Sequence, residues 1–168
     1  MTESSTDDRL PQSRRTAEEW LQLVLTLITS SRSMADLGVE SVRQTTGLAL
    51  EEYDDGQFGS AEQLSPDWNV RLTKDEEDGF DPRLEFGFFP VSDDRAATDV
   101  LARLDFDTFA RTLVEAGFEQ QLTYGEHGQI RDRRFTRDQL RVTVLTRADT
   151  AKAPDQPRHD LVDTVILR

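Results

Sequence analysis

The stretch LEFGFF, from Leu84 to Phe89, decides the fold because it holds three of the nine phenylalanines of the chain within six residues. Leu84, Phe86 and Phe88 alternate with charged or small residues, which is the period of a strand that buries one face. Acidic runs flank this stretch, KDEEDGFDP before it and PVSDDR after it. We therefore predict a buried strand between solvated loops rather than an aromatic contact site. Phe89 falls on the polar face, where it is either covered by the next segment or exposed as an anchor.

Other segments share the period of two. In WNVRLTK, Trp68, Val70 and Leu72 lie on one face, which predicts a second strand facing the same core. The segment DDGQFG, residues 54–59, is interpreted as a turn because it combines acidic residues with glycine. Further strands are predicted at residues 48–53, 118–124, 129–136, 140–147 and 161–168.

Helical periodicity occurs in two places. A capping box of Thr16 and Glu19 starts a first helix over residues 17–31, and a short second helix from residue 39 ends at Gly47. From Ser92 the helical period returns, with an apolar face at residues 97, 100, 101 and 104, and Asp105 caps a following helix that Gly117 ends.

The order of these elements is helices, three strands, helices, then three or four strands. It predicts an α+β fold in a single domain, with a mostly antiparallel sheet and helices on one face. Because a short helix ending in glycine precedes a strand twice, at Gly47 and Gly117, we expect two loosely repeated halves, each of helix and three strands. The polar residues 1–15 are expected to be a flexible leader, and residues 16–168 the domain.

The segment SRRTAEEWLQLVLTLITSSRSMA has some features of an export signal, namely paired arginines, an apolar run and small residues before Ala35. Glu18, Glu19 and Gln22 argue against export, because export signals keep acidic and polar residues out of these positions. The apolar run is also too short to span a bilayer. We therefore expect a cytoplasmic protein without membrane contact.

The net charge of −13 is concentrated in the middle of the chain. Residues 51–107 carry 17 acids and 5 bases, whereas residues 108–147 carry 5 acids and 7 bases. A negative field of this kind repels nucleic acid and anionic membranes and attracts cationic partners. We expect a basic protein partner and no nucleic acid. The alternative interpretation is that the charge serves only to keep the protein soluble.

The sequence contains little that indicates catalysis. It has no cysteine, no glycine-rich phosphate loop and no nucleophile elbow, and its two histidines, His127 and His159, lie beside turn residues. The run of acids before Gly79 would place Lys74 in the first ligand position of a calcium loop, which excludes an EF-hand. We predict no enzyme activity, no metal and no cofactor.

The acidic loop KDEEDGFDP is the main candidate for partner binding. Its carboxylates are held close together between two predicted strands, and Phe80 supplies a hydrophobic anchor beside them. A solvated turn is the alternative interpretation, in which case the arginine-rich segment RDRRFTR, with Arg131, Arg133, Arg134 and Arg137, would be the contact surface. The predicted partner-binding residues are Asp54, Asp55, Asp75, Glu76, Glu77, Asp78, Phe80, Asp81, Asp93 and Asp94.

A small, acidic, cysteine-free α+β chain with the units GVESVRQTTGLALEEYDDG and LDFDTFARTLVEAGFE resembles the cytoplasmic immunity proteins of bacterial competition systems. The resemblance implies tight binding to one cognate toxin that acts in the cytosol, commonly a nuclease with a basic cleft. Secretion chaperones for bacterial effectors are the alternative, since they are similar in size, low pI and mixed α/β character. Those chaperones usually end in a helix, whereas LVDTVILR predicts a strand.

Overall fold

A computed structural model describes residues 9–54, 56–75, 82–92, 101, 104–148 and 160–168. In this part of the chain there are three α-helices, one short 3-10 helix at Met34–Asp36 and eight strands. The elements are α1 (Ala17–Ser30), α2 (Val39–Thr46), β1 (Glu51–Asp54), β2 (Gln57–Gln63), β3 (Trp68–Asp75), β4 (Arg83–Pro90), α3 (Phe106–Glu115), β5 (Glu119–Tyr124), β6 (Ile130–Arg137), β7 (Leu140–Ala148) and β8 (Asp160–Leu167).

All eight strands form one antiparallel sheet in the order β1-β2-β3-β4-β8-β7-β6-β5. The first four strands are consecutive neighbours, and so are the last four, while β4 and β8 join the two sets. Most connections are therefore hairpins between adjacent strands, which need only short turns. The predicted α+β class and antiparallel sheet are confirmed.

The helices cover one face of the sheet, and a single core lies beneath them. The ring of Trp20 in α1 stacks on Phe86 with centroids 6.2 Å apart, and Phe106 in α3 packs on Phe135 at 6.3 Å. In the register of β3 and β4, Phe86 lies opposite Leu72, so the apolar faces of the two strands coincide. The predicted core residues are all buried, which confirms that LEFGFF is a core strand: Trp68, Val70, Leu72, Leu84, Phe86 and Phe88.

The helix ends are formed by the residues that the sequence indicates. The hydroxyl of Thr16 accepts a hydrogen bond from the Glu19 N–H at 3.1 Å, and the Asp105 carboxylate accepts from the first turn of α3. Gly47 ends α2 with a φ of 69°, a left-handed conformation that costs glycine little. Gly117 follows α3 with a φ of 98°.

One strand was missed, because DDGQFG is not only a turn. β1 extends to Asp54, Gly56 lies in a turn, and β2 begins at Gln57. On the helix side of β2, Phe58 is followed by Ser60 and Glu62, so the strand lacks the apolar alternation that identified its neighbours. The first half therefore has four strands instead of the predicted three, and the repetition of the two halves stays a prediction.

Two other predictions concern segments that the structure describes only in part. The helix predicted from Ser92 lies mostly outside the described residues, although Leu101 and Leu104 are buried. The division into a leader and a domain stays a prediction, but the described end of that leader contacts the sheet. Gln12 forms a parallel bridge with Gln63, and Ser13 accepts a 2.9 Å hydrogen bond from the indole N–H of Trp20.

The face of the sheet opposite the helices is polar and open, and Phe89 lies on it. This ring covers Gly87, because a Cβ atom at residue 87 would lie 3.2 Å from two atoms of the Phe89 ring. Tyr53 covers Gly59 in the same way, at 3.3 Å. Aromatic rings that cover glycines in a sheet shield the backbone where no side chain can do so. Phe89 is thus half-buried against its own strand.

Candidate protein-binding surface

The described part of the predicted acidic surface lies at one end of the sheet. Asp75 is the last residue of β3, and its backbone lies opposite that of Arg83 at the start of β4. Asp54 is the last residue of β1 and lies opposite Gln57. Because Phe58 pairs with Lys74, the ends of β1 and β3 lie at the same end of the sheet. The fold thus brings together two acidic segments that are separated by twenty residues of sequence.

The remaining predicted site residues lie outside the described residues. They are Asp55, Glu76, Glu77, Asp78, Phe80, Asp81, Asp93 and Asp94. The chain reaches Asp93 and Asp94 only after β4 has crossed to the opposite end of the sheet, where Pro90 pairs with Trp68. A strand of eight residues spans roughly 25 Å. The segment after β4 therefore starts far from Asp75.

Beside Asp75 the open face has a shallow depression of about 260 Å³, lined by Arg71, Thr73, Asp75, Glu85 and Phe89. Arg83 forms an ion pair with Glu85, and the guanidinium of Arg71 lies 5.1 Å from the centre of the Phe89 ring. Asp75 is exposed and, among the described residues, makes no ion pair. Its carboxylate is available to a cation from outside.

Charge is separated along the sheet. Strands β1–β4 contain six acids and three bases, whereas β5–β8 contain four acids and six bases. Because β1 and β5 form opposite edges, the difference in sequence becomes a difference in space. The β1–β4 half of the sheet therefore creates the more negative potential, which attracts cations. We call the end of this half that holds Asp54 and Asp75 the acidic end.

The alternative arginine surface is not present as predicted, because two of its four side chains, those of Arg133 and Arg137, point into the helix layer. Arg133 has a side chain only 11% exposed, donates to Asp160 at 2.6 Å and stacks over Phe106 at 4.2 Å. Arg137 donates to main-chain carbonyls at the C-terminal ends of two helices, α1 and α3, and stacks over Phe118 at 4.5 Å. These arginines hold the fold together and are not free to bind a partner.

The other two arginines differ. Arg134 lies on the open face, is 43% exposed and pairs loosely with Asp132 at 3.4 Å. The side chain of Arg131 is outside the described part of the structure. The sequence does indicate that Arg133 and Arg137 point inward. Each is two residues from buried Phe135, and residues two apart in a strand lie on the same face.

No catalytic arrangement is visible in the described residues. His127 is exposed in the β5–β6 turn, where its backbone N–H donates to the side chain of Gln129 at 3.1 Å, and His159 lies outside the description. Within the described ranges, no three carboxylate or imidazole side chains group as a metal site requires. No described helix is long and apolar enough to cross a bilayer.

Comparisons of the chain with family models, with curated proteins and with solved structures gave no significant match.

Proposed function

We propose that the protein is a non-catalytic binding module that neutralises a basic, cytosol-acting toxin by docking on it through its acidic end. The observation that carries this proposal is the separation of charge along the sheet, with Asp54 and Asp75 at the same end of adjacent hairpins. The immunity proteins that the chain resembles provide the biological setting. In that setting a tight complex is sufficient for activity, because occupation of the toxin's active site blocks it.

The physical basis of the proposal is long-range attraction. A surface with excess negative charge raises the encounter rate with a positive partner and orients the approach. Exposed carboxylates on β1 and β3 cost the fold self-repulsion and, in the described residues, contribute few internal contacts. Glu51, Glu52 and Asp75 are exposed. Such residues are better explained by an external partner than by stability.

The depression beside Asp75 supports a contact that is more than electrostatic. It combines a free carboxylate with the half-buried ring of Phe89, so a basic side chain could pair with the acid and pack on the ring. Arg71 occupies part of the ring face, at 5.1 Å. Its position illustrates the geometry that an incoming arginine would adopt.

A secretion chaperone remains the alternative proposal, since an acidic α+β domain of this size suits that class too. The segment LVDTVILR forms β8 (Asp160–Leu167) in the middle of the sheet, between β4 and β7. The genes beside this one discriminate the two functions. A large toxin gene immediately upstream favours immunity, and a secreted effector with an unstructured N-terminus favours a chaperone.

The test is neutralisation of the toxin encoded by the neighbouring reading frame, measured as growth of cells that express it. A loop variant (Asp75→Asn, Glu76→Gln, Glu77→Gln, Asp78→Asn) is compared with a control variant (Asp107→Asn, Glu115→Gln, Glu126→Gln, Asp138→Asn). The four control positions are exposed, and both variants remove the same charge from the same residue types. We expect rescue by the wild type and the control variant and weaker rescue by the loop variant. If cells that express the toxin die even though they also contain the wild-type protein, the proposal is contradicted.

A further inference from the structure

Strand β5 is an open edge of the sheet. It is last in the strand order and pairs only with β6 in the part of the chain that is described. All of its side chains except that of Thr123 are exposed. An edge strand of this kind presents a row of unpaired N–H and C=O groups, which is a template for another strand.

The opposite edge is protected in the ways that natural proteins protect edges. Strand β1 has four residues, three of them acidic, and its register shifts between Glu52 and Asp54. Beyond β1, the free end of β2 is covered by the N-terminal segment: Gln63 donates to the Pro11 carbonyl at 2.8 Å and accepts from Ser13 at 2.8 Å. Short length, charge, irregularity and coverage all discourage pairing. In contrast, Gln120–Tyr124 has no charged residue.

Exposed apolar side chains collect at the β5 edge. Seven large apolar residues are exposed among those described, and four of them lie between the last turn of α3 and the start of β6. They are Val114, Leu122, Tyr124 and Ile130. Leu122 and Tyr124 lie on β5, Ile130 is the strand partner of Tyr124, and Val114 lies on α3, which contacts β5. A concentration of this kind marks an interaction surface.

We propose that β5 pairs antiparallel with β5 of a second copy of this chain, which makes one continuous sheet across a two-fold axis. Residues opposite each other in antiparallel strands share a face, so the symmetric register is centred on a single residue. If the two-fold axis passes between the two Leu122 residues, each exposed Leu122 lies beside Leu122 of the other copy. Gln121 of one copy then lies opposite Thr123 of the other. Glu119 then faces Gly125, and no like charges are opposed.

Charge also selects this edge for self-association. Two copies with a net charge of −13 repel each other, and the repulsion is weakest where the chain is not acidic. The β5 edge lies within residues 108–147, which carry more bases than acids, whereas the β1 edge is acidic. A second copy is therefore accommodated at β5 and excluded at β1. The toxin-docking end stays free.

The salt dependence distinguishes this dimer from the toxin complex. Salt screens the repulsion between two acidic copies, so dimerisation should strengthen as salt is added. Docking of a basic partner should weaken under the same change. The proposed contact involves one six-residue edge strand from each copy, which is small compared with standard interfaces of about 1,600 Å², so we expect a weak, concentration-dependent dimer.

The experiment is sedimentation velocity of the full chain over about a hundredfold range of concentration, at low and high salt, with Leu122→Lys and Leu145→Lys. Leu122 and Leu145 are matched in exposure, 39% and 38%, but Leu145 lies on β7 inside the sheet. We expect a concentration-dependent dimer for the wild type and Leu145→Lys, and a monomer for Leu122→Lys. A monomeric wild type at all concentrations would overturn the proposal, and so would a dimer that Leu145→Lys alone disrupts, which would indicate face-to-face association.

A second measurement covers the case in which Leu122→Lys does not fold. Hydrogen exchange of the wild-type β5 amides is compared at high and low protein concentration. If β5 pairs with β5 of a second copy, the amides of Glu119–Tyr124 that point away from β6 exchange more slowly at high protein concentration. The decrease in their exchange rate follows the fraction of protein that is dimeric. Rates that do not change in β5, in a sample that sediments as a dimer, would place the interface elsewhere and refute the edge pairing.

Discussion

The guanidinium of Arg137 donates a 2.8 Å hydrogen bond to the carbonyl oxygen of Ser31, the C-cap residue of α1. The same terminal nitrogen lies 3.0 Å from the Thr29 carbonyl, and the other terminal nitrogen donates at 2.8 Å to the carbonyl of Ala116, the C-cap residue of α3. The last carbonyls of a helix have no partner within the helix, and the helix dipole makes them attractive to a cation. One sheet arginine therefore caps two helices.

This arrangement predicts that Arg137→Met destabilises the fold strongly. The substitution leaves carbonyls of two helix ends without a donor and removes the stacking on Phe118, so we expect a loss of about 3 kcal/mol in the free energy of unfolding. The matched control is Arg134→Met, on the same strand but on the open face, for which we expect less than about 1 kcal/mol. Urea denaturation measures both. Equal losses would show that Arg137 does not hold the helices.

The stretch LEFGFF contains a second matched pair. Phe86 is buried against Trp20 and Phe88, and its ring is nearly perpendicular to that of Phe88 with the centroids 5.1 Å apart. Phe86→Ala should therefore cost about 3–5 kcal/mol. Phe89 is half-buried on the opposite face, and Phe89→Ala should cost only about 1 kcal/mol. Denaturation midpoints of the two variants test the assignment of faces. A larger loss at Phe89 would mean that the open face is covered.

Gly87 and Phe89 should also be energetically coupled. A methyl group at residue 87 would lie 3.2 Å from the Phe89 ring and from Thr164, which is tighter than ordinary contact. Gly87→Ala should therefore destabilise the wild type more than it destabilises the Phe89→Ala background. We expect a coupling of at least about 0.5 kcal/mol from a double-mutant cycle. Additive effects would refute the covering role of the ring.

Apolar alternation was sufficient to predict those strands whose buried face is made of large apolar residues. β3 and β4 were placed correctly for this reason, and the caps at Thr16, Gly47 and Asp105 follow from chemistry that acts within one turn. β2 was missed because Ser60 and Glu62 share the buried side with Phe58. Its position in the sheet depends on neighbouring strands, which local periodicity does not report.

The candidate site was predictable only in part. The charge excess could be counted from the sequence, but the meeting of Asp54 and Asp75 at one end depends on the strand register. The pairing of β4 with β8 joins residues about eighty positions apart, and no local signal specifies it. The arginines of β6 show the opposite case. The charge of Arg133 and Arg137 suggested a surface, although their spacing around Phe135 indicates that they point inward.

The proposed mechanism requires no histidine. His127 is exposed in a turn, and the proposed activity is occlusion of a partner. We therefore expect His127→Ala combined with His159→Ala to protect cells from the toxin as fully as the wild type does. Growth of toxin-expressing cells measures the protection, with the wild type and the double variant present at equal abundance. Loss of protection by a folded double variant would reveal an active site.

The most direct measurement is the association rate of the protein with the toxin encoded beside it, by stopped flow, as a function of salt. We predict a fast wild-type rate at low salt that falls steeply as the Debye length shortens to about 8 Å at physiological ionic strength. The loop variant should associate about tenfold more slowly at low salt, while the control variant stays close to the wild type because it keeps the acidic end. Equal rates for the two variants, or a wild-type rate that salt does not change, would contradict docking through the acidic end.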